Sequence, residues 1–139
     1  MQSIRIDAGQ LIALFSVDNK HHQHYDNLIR KLSPDGLRLL TTWPCIVEAS
    51  YLLNAQNRFE LLEWIRLGGG VVCPFSHDNL GSIVKSMKTY TESGKREMDF
   101  ADATLYWLAV ETGITEIMTV DNRDFSRYRL PNGGFFAIH

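Results

Sequence analysis

Apolar residues recur along the chain in short runs that alternate between two kinds of spacing. Compact β-prone runs predict strands over residues 3–7, 37–42, 71–75, 114–121 and 135–138. Spacing of three to four residues predicts helices over residues 9–17, 21–32, 44–57, 59–67, 77–93 and 99–112. Pro44 suits the first turn of a helix, and Gly113 is a typical helix stop.

Strands that alternate with helices favour a parallel sheet held between helical layers. The runs at residues 71–73 and 117–118 are almost wholly apolar, as expected of strands that are buried on both faces. We therefore predict an α/β fold, a three-layer α/β/α sandwich with a mostly parallel central sheet. No repeat or linker interrupts the pattern, so we expect residues 1–139 to form a single domain.

Composition narrows the class of protein. Apolar residues make up 45% of the 139 residues and charged residues 22%, which argues against disorder. Fourteen basic and 16 acidic residues give a net charge of −2, which excludes a strongly basic nucleic-acid coat. Two cysteines do not make a disulfide framework, and neither a membrane span nor a signal peptide is recognisable. We expect a cytoplasmic protein that does not enter a membrane.

Two aspartates fall at the ends of predicted strands. Asp7 ends the first strand, and Asp121 ends the strand that includes residues 117–120. In open α/β sheets, sites form at the carboxyl ends of strands, near the point where the strand order reverses. These two carboxylates can face each other across such a crevice, although either could also be an ordinary turn residue.

Other acids occur at unusual positions on predicted helices. Glu48 has Cys45 and Leu52 as helical neighbours, which predicts a carboxylate on a core-facing apolar stripe. Such a carboxylate is costly unless it binds a metal or pairs with a group such as a buried arginine. Asp99 and Asp102 share one face at the start of a helix, where they could simply complement the helix dipole.

Clustered carboxylates would repel one another by about 4 kcal/mol per pair at 4 Å and an effective dielectric of 20. Such a cluster persists when a cation neutralises it or when some carboxyls stay protonated. Ligands that are all oxygen suit Mg²⁺ or Mn²⁺.

Four segments match the motifs of one known family. They are IDA at residues 6–8, TT at 41–42 with VEA at 47–49, MDFADA at 98–103 and TVDNRDF at 119–125. With these motifs the chain resembles PIN-domain proteins, most closely the VapC toxin ribonucleases of VapBC toxin–antitoxin pairs. The resemblance covers almost the whole chain, and its last two motifs are the most specific.

The resemblance implies a Rossmann-like fold and a Mg²⁺- or Mn²⁺-dependent ribonuclease. The implied catalytic and metal-binding residues are Asp7, Glu48, Asp102 and Asp121, with Asp99 as an accessory acid and Thr119 as a supporting hydroxyl. Ala8 departs from the pattern, because the family usually has serine or threonine after the first aspartate.

Basic residues near the acidic motifs are candidates for contacts with RNA phosphates. They are Lys85, Lys88, Lys95 and Arg96 before Asp99, and Arg123, Arg127 and Arg129 after Asp121. Trp43, Tyr51 and Tyr90 could stack on bases, although packing is the more common role of such residues.

The resemblance also implies partners, namely an RNA substrate, a small antitoxin protein and a second copy of the chain in a homodimer. Two alternatives stay open. One is a PIN-fold module that binds RNA or protein without catalysis, and the other is a housekeeping PIN nuclease that has no antitoxin.

Overall fold

The structure is a computed structural model that describes residues 1–91, 97–120 and 122–139, with the backbone alone for Asn122 and Arg123. The strands are β1 (Gln2–Ile6), β2 (Leu37–Thr41), β3 (Gly70–Val72), β4 (Glu116–Met118) and β5 (Ala137–Ile138). The α-helices are α1 (Ala8–Phe15), α2 (His22–Leu32), α3 (Trp43–Leu52), α4 (Ala55–Arg66), α5 (Leu80–Thr91), α6 (Phe100–Thr112) and α7 (Asn122–Arg127). In this described part of the chain, no helix is both long enough and apolar enough to cross a membrane.

The five strands form one sheet in the order β3-β2-β1-β4-β5, and every pairing is parallel. The chain steps outward from β1 to β3 and then crosses back to β4 on the other side of β1. Right-handed crossovers in opposite directions place their helices on opposite faces of the sheet. The predicted α/β/α sandwich is confirmed, and the strand order reverses between β1 and β4.

The central strands supply the middle of the core. Ile4 and Ile6 of β1 and Ile117 and Met118 of β4 are fully buried, as the apolar runs predict. The expectation of burial on both faces is wrong for β3, which is an edge strand with Val71 40% exposed. An apolar run does not reveal whether its strand has a neighbour on one side or on both.

The boundary between the two helices predicted over residues 44–57 and 59–67 lies several residues earlier than expected. The first helix ends at Leu52, and Asn54 caps the second by accepting a hydrogen bond from the Asn57 amide at 2.9 Å. Arg58 Nη2 donates a hydrogen bond to the Leu53 carbonyl at 2.9 Å, so this carbonyl at the end of α3 has a partner although the helix does not continue. The turn therefore ends α3 four residues after Glu48.

Candidate functional site

An acidic cleft lies at the carboxyl edge of the sheet, where the strand order reverses. Its volume is about 180 Å³. Its lining includes five carboxylates, from Asp7, Glu48, Asp99, Asp102 and Asp124. Thr119 and Val120, which follow β4, complete one wall, and Ala8 and Gly9 at the start of α1 complete another.

Asp7 is the most constrained of these acids. It follows β1 and caps α1, since its Oδ1 accepts a hydrogen bond from the Gln10 amide at 2.8 Å. Its Oδ2 accepts a hydrogen bond from the Thr119 hydroxyl. The Thr119 carbonyl in turn accepts from the Tyr25 hydroxyl at 2.7 Å. Only 7% of Asp7 is exposed, so these contacts fix its carboxylate at the floor of the cleft.

Asp99 and Asp102 come from the start of α6. Asp99 caps this helix, because its Oδ1 accepts from the Asp102 amide at 2.8 Å. Asp102 Oδ2 accepts a longer hydrogen bond, at 3.3 Å, from the Tyr128 hydroxyl. Burial, and to a smaller extent the nearby carboxylates of Asp99, Asp7 and Asp124, together raise the pKa of Asp102 to about 8. Without a cation, the cleft therefore keeps a proton on Asp102 at neutral pH.

Glu48 lies on α3 and lines the cleft. The predicted core-facing stripe is wrong: Cys45 is fully buried, but Glu48 is exposed to the cleft and Leu52 is 61% exposed. Glu48 has no need of a buried arginine as a partner, because it keeps contact with solvent. Burial of part of the side chain and the charge of Asp99 both raise the pKa of Glu48.

A buried contact between the starts of α3 and α6 brings Glu48 close to Asp99. The hydroxyls of Thr42 and Thr104 share a hydrogen bond at 2.7 Å, and the Thr104 hydroxyl also lies 2.7 Å from the Ala101 carbonyl. Both threonines are fully buried. This contact joins the two helical layers across the edge of the sheet and sets the width of the cleft.

The structure brings Asp7, Glu48, Asp99, Asp102 and Thr119 of the predicted set to one cleft. Asp121, Lys95 and Arg96 lie outside the described residues, as does the side chain of Arg123.

Asp124 is a lining residue that the sequence does not single out as part of the site. From the sequence we expect Asp124 either to cap a helix or to form a salt bridge near Arg127. The salt bridge is present, with a distance of 3.7 Å between Arg127 Nη2 and Asp124 Oδ1. Its position one helical turn beyond Asp121 is the signal that could have marked it.

Two arginines expected near RNA are used for packing instead. Arg127 donates to the Tyr90 carbonyl at 2.8 Å and lies over the rings of Tyr90 and Tyr128. Arg129 lies over the ring of Phe135, 4.1 Å from its centroid. Neither arginine lines the acidic cleft.

Arg5 is a fully buried cation on β1, two residues before Asp7. Its guanidinium donates to the carbonyls of Leu105 at 2.7 Å and Thr115 at 3.3 Å, and it lies 4.7 Å from the centroid of the Phe136 ring. Burial lowers the pKa of Arg5 to about 9, so it remains charged at neutral pH. This fixed positive charge below the floor offsets part of the negative charge of the cleft.

The donor set of the cleft fits a hard divalent cation by its chemistry, since carboxylate oxygens are the ligands that Mg²⁺ and Mn²⁺ prefer. The raised pKa of Asp102 also reflects an excess of negative charge that a cation would relieve. Within residues 1–91, 97–120 and 122–139, however, no three His, Cys, Asp or Glu side chains are close enough together to hold a metal ion. A metal site here would need the described acids to draw together or a further ligand to join them.

Comparison with known proteins adds no assignment: no protein-family model matches this chain, and no curated protein does. Fold and cleft together define an α/β/α protein whose acidic site lies at the topological switch point of a parallel sheet.

Proposed function

We propose that this protein is a Mg²⁺- or Mn²⁺-dependent endoribonuclease of the PIN type, resembling the VapC toxins. The observation that carries the proposal is the convergence of Asp7, Glu48, Asp99 and Asp102 on one cleft. These acids come from three separate segments of the chain, and each lies where the motif resemblance requires an acid.

In this proposal Asp7, Asp102 and Asp121 hold the metal directly or through water, with Asp99 as an accessory ligand. A bound divalent cation lowers the pKa of its water and neutralises charge that builds up on a phosphate. The contacts of Asp7 with the Gln10 amide and the Thr119 hydroxyl orient its carboxylate. Such supporting hydrogen bonds keep a ligand in position before an ion arrives.

Glu48 has a different role in the proposal, as a further ligand or as the group that orients the attacking water. It lines the same cleft as Asp7 and keeps contact with solvent, so it can reach a water molecule in the cleft. The reaction is hydrolysis of a phosphodiester bond, in which water adds to phosphorus and the bond to the leaving oxygen breaks.

The proposed setting is the cytoplasm, with RNA as the substrate. The resemblance adds two proposed partners. One is a small antitoxin protein that blocks the cleft, and the other is a second copy of the chain in a homodimer.

The decisive experiment is the cleavage of single-stranded RNA with and without Mg²⁺ by the wild-type chain and by Asp7→Asn. Asparagine caps a helix as well as aspartate does, so the variant should stay folded while it loses one negative charge at the floor. We expect cleavage that requires the metal and falls by at least about 100-fold in the variant. Activity that survives Asp7→Asn in protein of equal purity would overturn the proposal.

A second candidate is a PIN-fold module that binds RNA or protein without cleaving it. Ala8, which lines the cleft where the family usually has a hydroxyl, is the observation that favours it. RNA binding that is retained in the complete absence of Mg²⁺- or Mn²⁺-dependent cleavage would favour this candidate.

A further inference from the structure

A second groove adjoins the acidic cleft and differs from it in chemistry. Its volume is about 540 Å³, and apart from two carboxylates at its rim its lining is apolar. The apolar lining consists of Trp43, Pro44, Val47, Phe75, Phe100 and Ala101. Trp43 is 52% exposed, and Val47 and Phe100 are also exposed. We call this surface the aromatic groove.

The aromatic groove and the acidic cleft are continuous, because Glu48 and Asp99 line both. They also share the same edge of the sheet. Asp7 follows β1, whereas Trp43 begins the helix after β2 and Phe75 follows β3. Neighbouring strands lie about 5 Å apart, so the groove starts about 5–10 Å from the floor of the cleft. The next nucleotide of a strand bound in the cleft can span that distance.

The charges at the rim select which part of a nucleotide can enter. Glu48 and Asp99 repel a phosphate, and no Lys, Arg or His is among the described residues that line the groove. A nucleobase is neutral and planar, and its faces stack on aromatic side chains. The base therefore suits the groove, while the phosphate would lie in the acidic cleft, where the cation of the proposed function offsets the carboxylates.

Phe75 gives the groove a firm floor. Its ring packs edge-on against Phe100, with 5.8 Å between centroids, and against Trp107, with 6.1 Å. Trp107 is half-buried on α6, so the aromatic surface is anchored to the same helix that carries Asp102. A base that stacks there is held at a fixed position relative to the acids.

We propose that the aromatic groove is a subsite for one unpaired base of single-stranded RNA, next to the nucleotide at the acidic cleft, with Trp43 as the stacking residue. This inference rests on the proposed function, because it takes RNA as the molecule in the cleft. The lining offers few groups for hydrogen bonding, so the subsite would distinguish an unpaired base from a paired one but would discriminate little among the four bases.

The test measures the affinity of a fluorescein-labelled single-stranded oligoribonucleotide by fluorescence anisotropy, in the Asp7→Asn background to prevent cleavage. Loss of one stacked base predicts that Trp43→Ala weakens binding by about 5-fold to 150-fold. Trp43→Phe should retain most of the affinity. Phe59→Ala is the matched control, since Phe59 is 62% exposed on α4 and lies outside the groove.

A second probe is the same oligoribonucleotide with an abasic position placed at each site in turn. At one position, the abasic substitution should weaken binding to the protein that retains Trp43 and should have no effect on binding to the Trp43→Ala variant. Equal affinities of Trp43→Ala and Phe59→Ala would overturn the inference, as would the absence of RNA binding.

Two further outcomes separate this inference from the proposed function. Cleavage that requires Asp7 but does not depend on Trp43 leaves the nuclease standing and removes the base subsite. An apolar groove could instead be covered by a second copy of the chain, and light scattering measures this oligomeric state. A wild-type dimer that Trp43→Ala converts to a monomer would show that a second copy covers the groove, and would overturn the inference.

Discussion

The Thr119 hydroxyl donates a hydrogen bond to Asp7 Oδ2 across the boundary between the two halves of the sheet. Asp7 follows β1 and Thr119 follows β4, and the order of the strands reverses between these two strands. The contact therefore joins the floor of the cleft to its wall at the place where an α/β sheet opens. It leaves Oδ1 of Asp7 to cap α1.

Thr119→Val should raise the Mg²⁺ concentration that the proposed cleavage requires, without unfolding the protein. Valine keeps the shape of threonine but cannot orient the Asp7 carboxylate, and loss of such a supporting contact typically costs about 10- to 100-fold in metal affinity or activity. The measurement is the Mg²⁺ concentration that gives half-maximal cleavage. Thr119→Ser keeps the hydroxyl and should behave nearly as the wild type does. Equal Mg²⁺ requirements for the valine and serine variants would contradict this role.

Asp102→Asn should stabilise the metal-free protein, and the gain should grow with pH. The pKa of Asp102 in the folded protein is about 8, above its ordinary value of 3.8, so the unfolded chain releases this proton first. The stability of the wild type therefore falls as the pH rises from about 4 to about 8. Asparagine removes this cost, and we expect a gain of at least about 1 kcal/mol at pH 8 and little gain near pH 4.

Urea denaturation at several pH values, in the presence of a chelator, measures the effect of Asp102→Asn. The control is Asp78→Asn, because the Asp78 side chain is exposed and far from the cleft lining. A gain from Asp102→Asn that is the same at pH 4 and pH 8 would show that burial of the charge is not its cause.

Gly9→Ala should destabilise the protein through a steric clash at the mouth of the cleft. A Cβ atom at Gly9 would lie 2.9 Å from Val120 Cγ2, so one of the two segments must shift. Overpacking of this kind costs about 1–3 kcal/mol in the free energy of unfolding. Val120→Ala in the same chain should restore most of that loss, which a double-mutant cycle measures.

Gly81→Ala is the matched control for Gly9→Ala, since nothing lies within 4 Å of a Cβ atom at Gly81. Gly81 is in α5, where alanine is the better helix former, so this change should stabilise the protein by about 0.5–1 kcal/mol. If Gly9→Ala were as favourable as Gly81→Ala, the close approach to Val120 would not constrain this helix.

Arg5→Lys should lower the free energy of unfolding by about 2 kcal/mol or more. A lysine cannot place donors on the Leu105 and Thr115 carbonyls at once, and it loses the planar contact of the guanidinium with Phe136. At least one buried carbonyl is then left without its donor, which costs about 1–3 kcal/mol. Chemical denaturation followed by circular dichroism measures the change, and Arg38→Lys, at an exposed position of β2, is the control. Equal stability of Arg5→Lys and the wild type would contradict this account.

Local signals were sufficient for most of the fold. The spacing of apolar residues and the positions of Pro44 and Gly113 predict the order of strands and helices, and the parallel sheet follows from that order. Local signals cannot show whether a strand has neighbouring strands on both sides or lies at the edge of the sheet. Val71 lies in an apolar run that reads as a buried strand, but it is 40% exposed because β3 has no neighbour on one side.

The candidate site shows the same division. Asp7, Asp99 and Asp102 can be found from their places at strand and helix ends, and the structure puts them in one cleft. Asp124 lies in a six-residue helix that is too short to give a periodic pattern. We expect Arg127 from the sequence to be available for contacts with RNA phosphates. In the structure it packs against Tyr90, 37 residues earlier in the chain, and no local sequence pattern predicts so distant a contact.

Two of the carboxylates in the cleft also cap helices, Asp7 on α1 and Asp99 on α6. Asparagine caps a helix about as well as aspartate, whereas alanine costs about 0.5–2 kcal/mol there, so these two positions can lose their charge more cheaply than they can lose their cap. A related protein that keeps this fold but lacks the proposed metal chemistry should therefore carry asparagine, and not alanine, at these two positions.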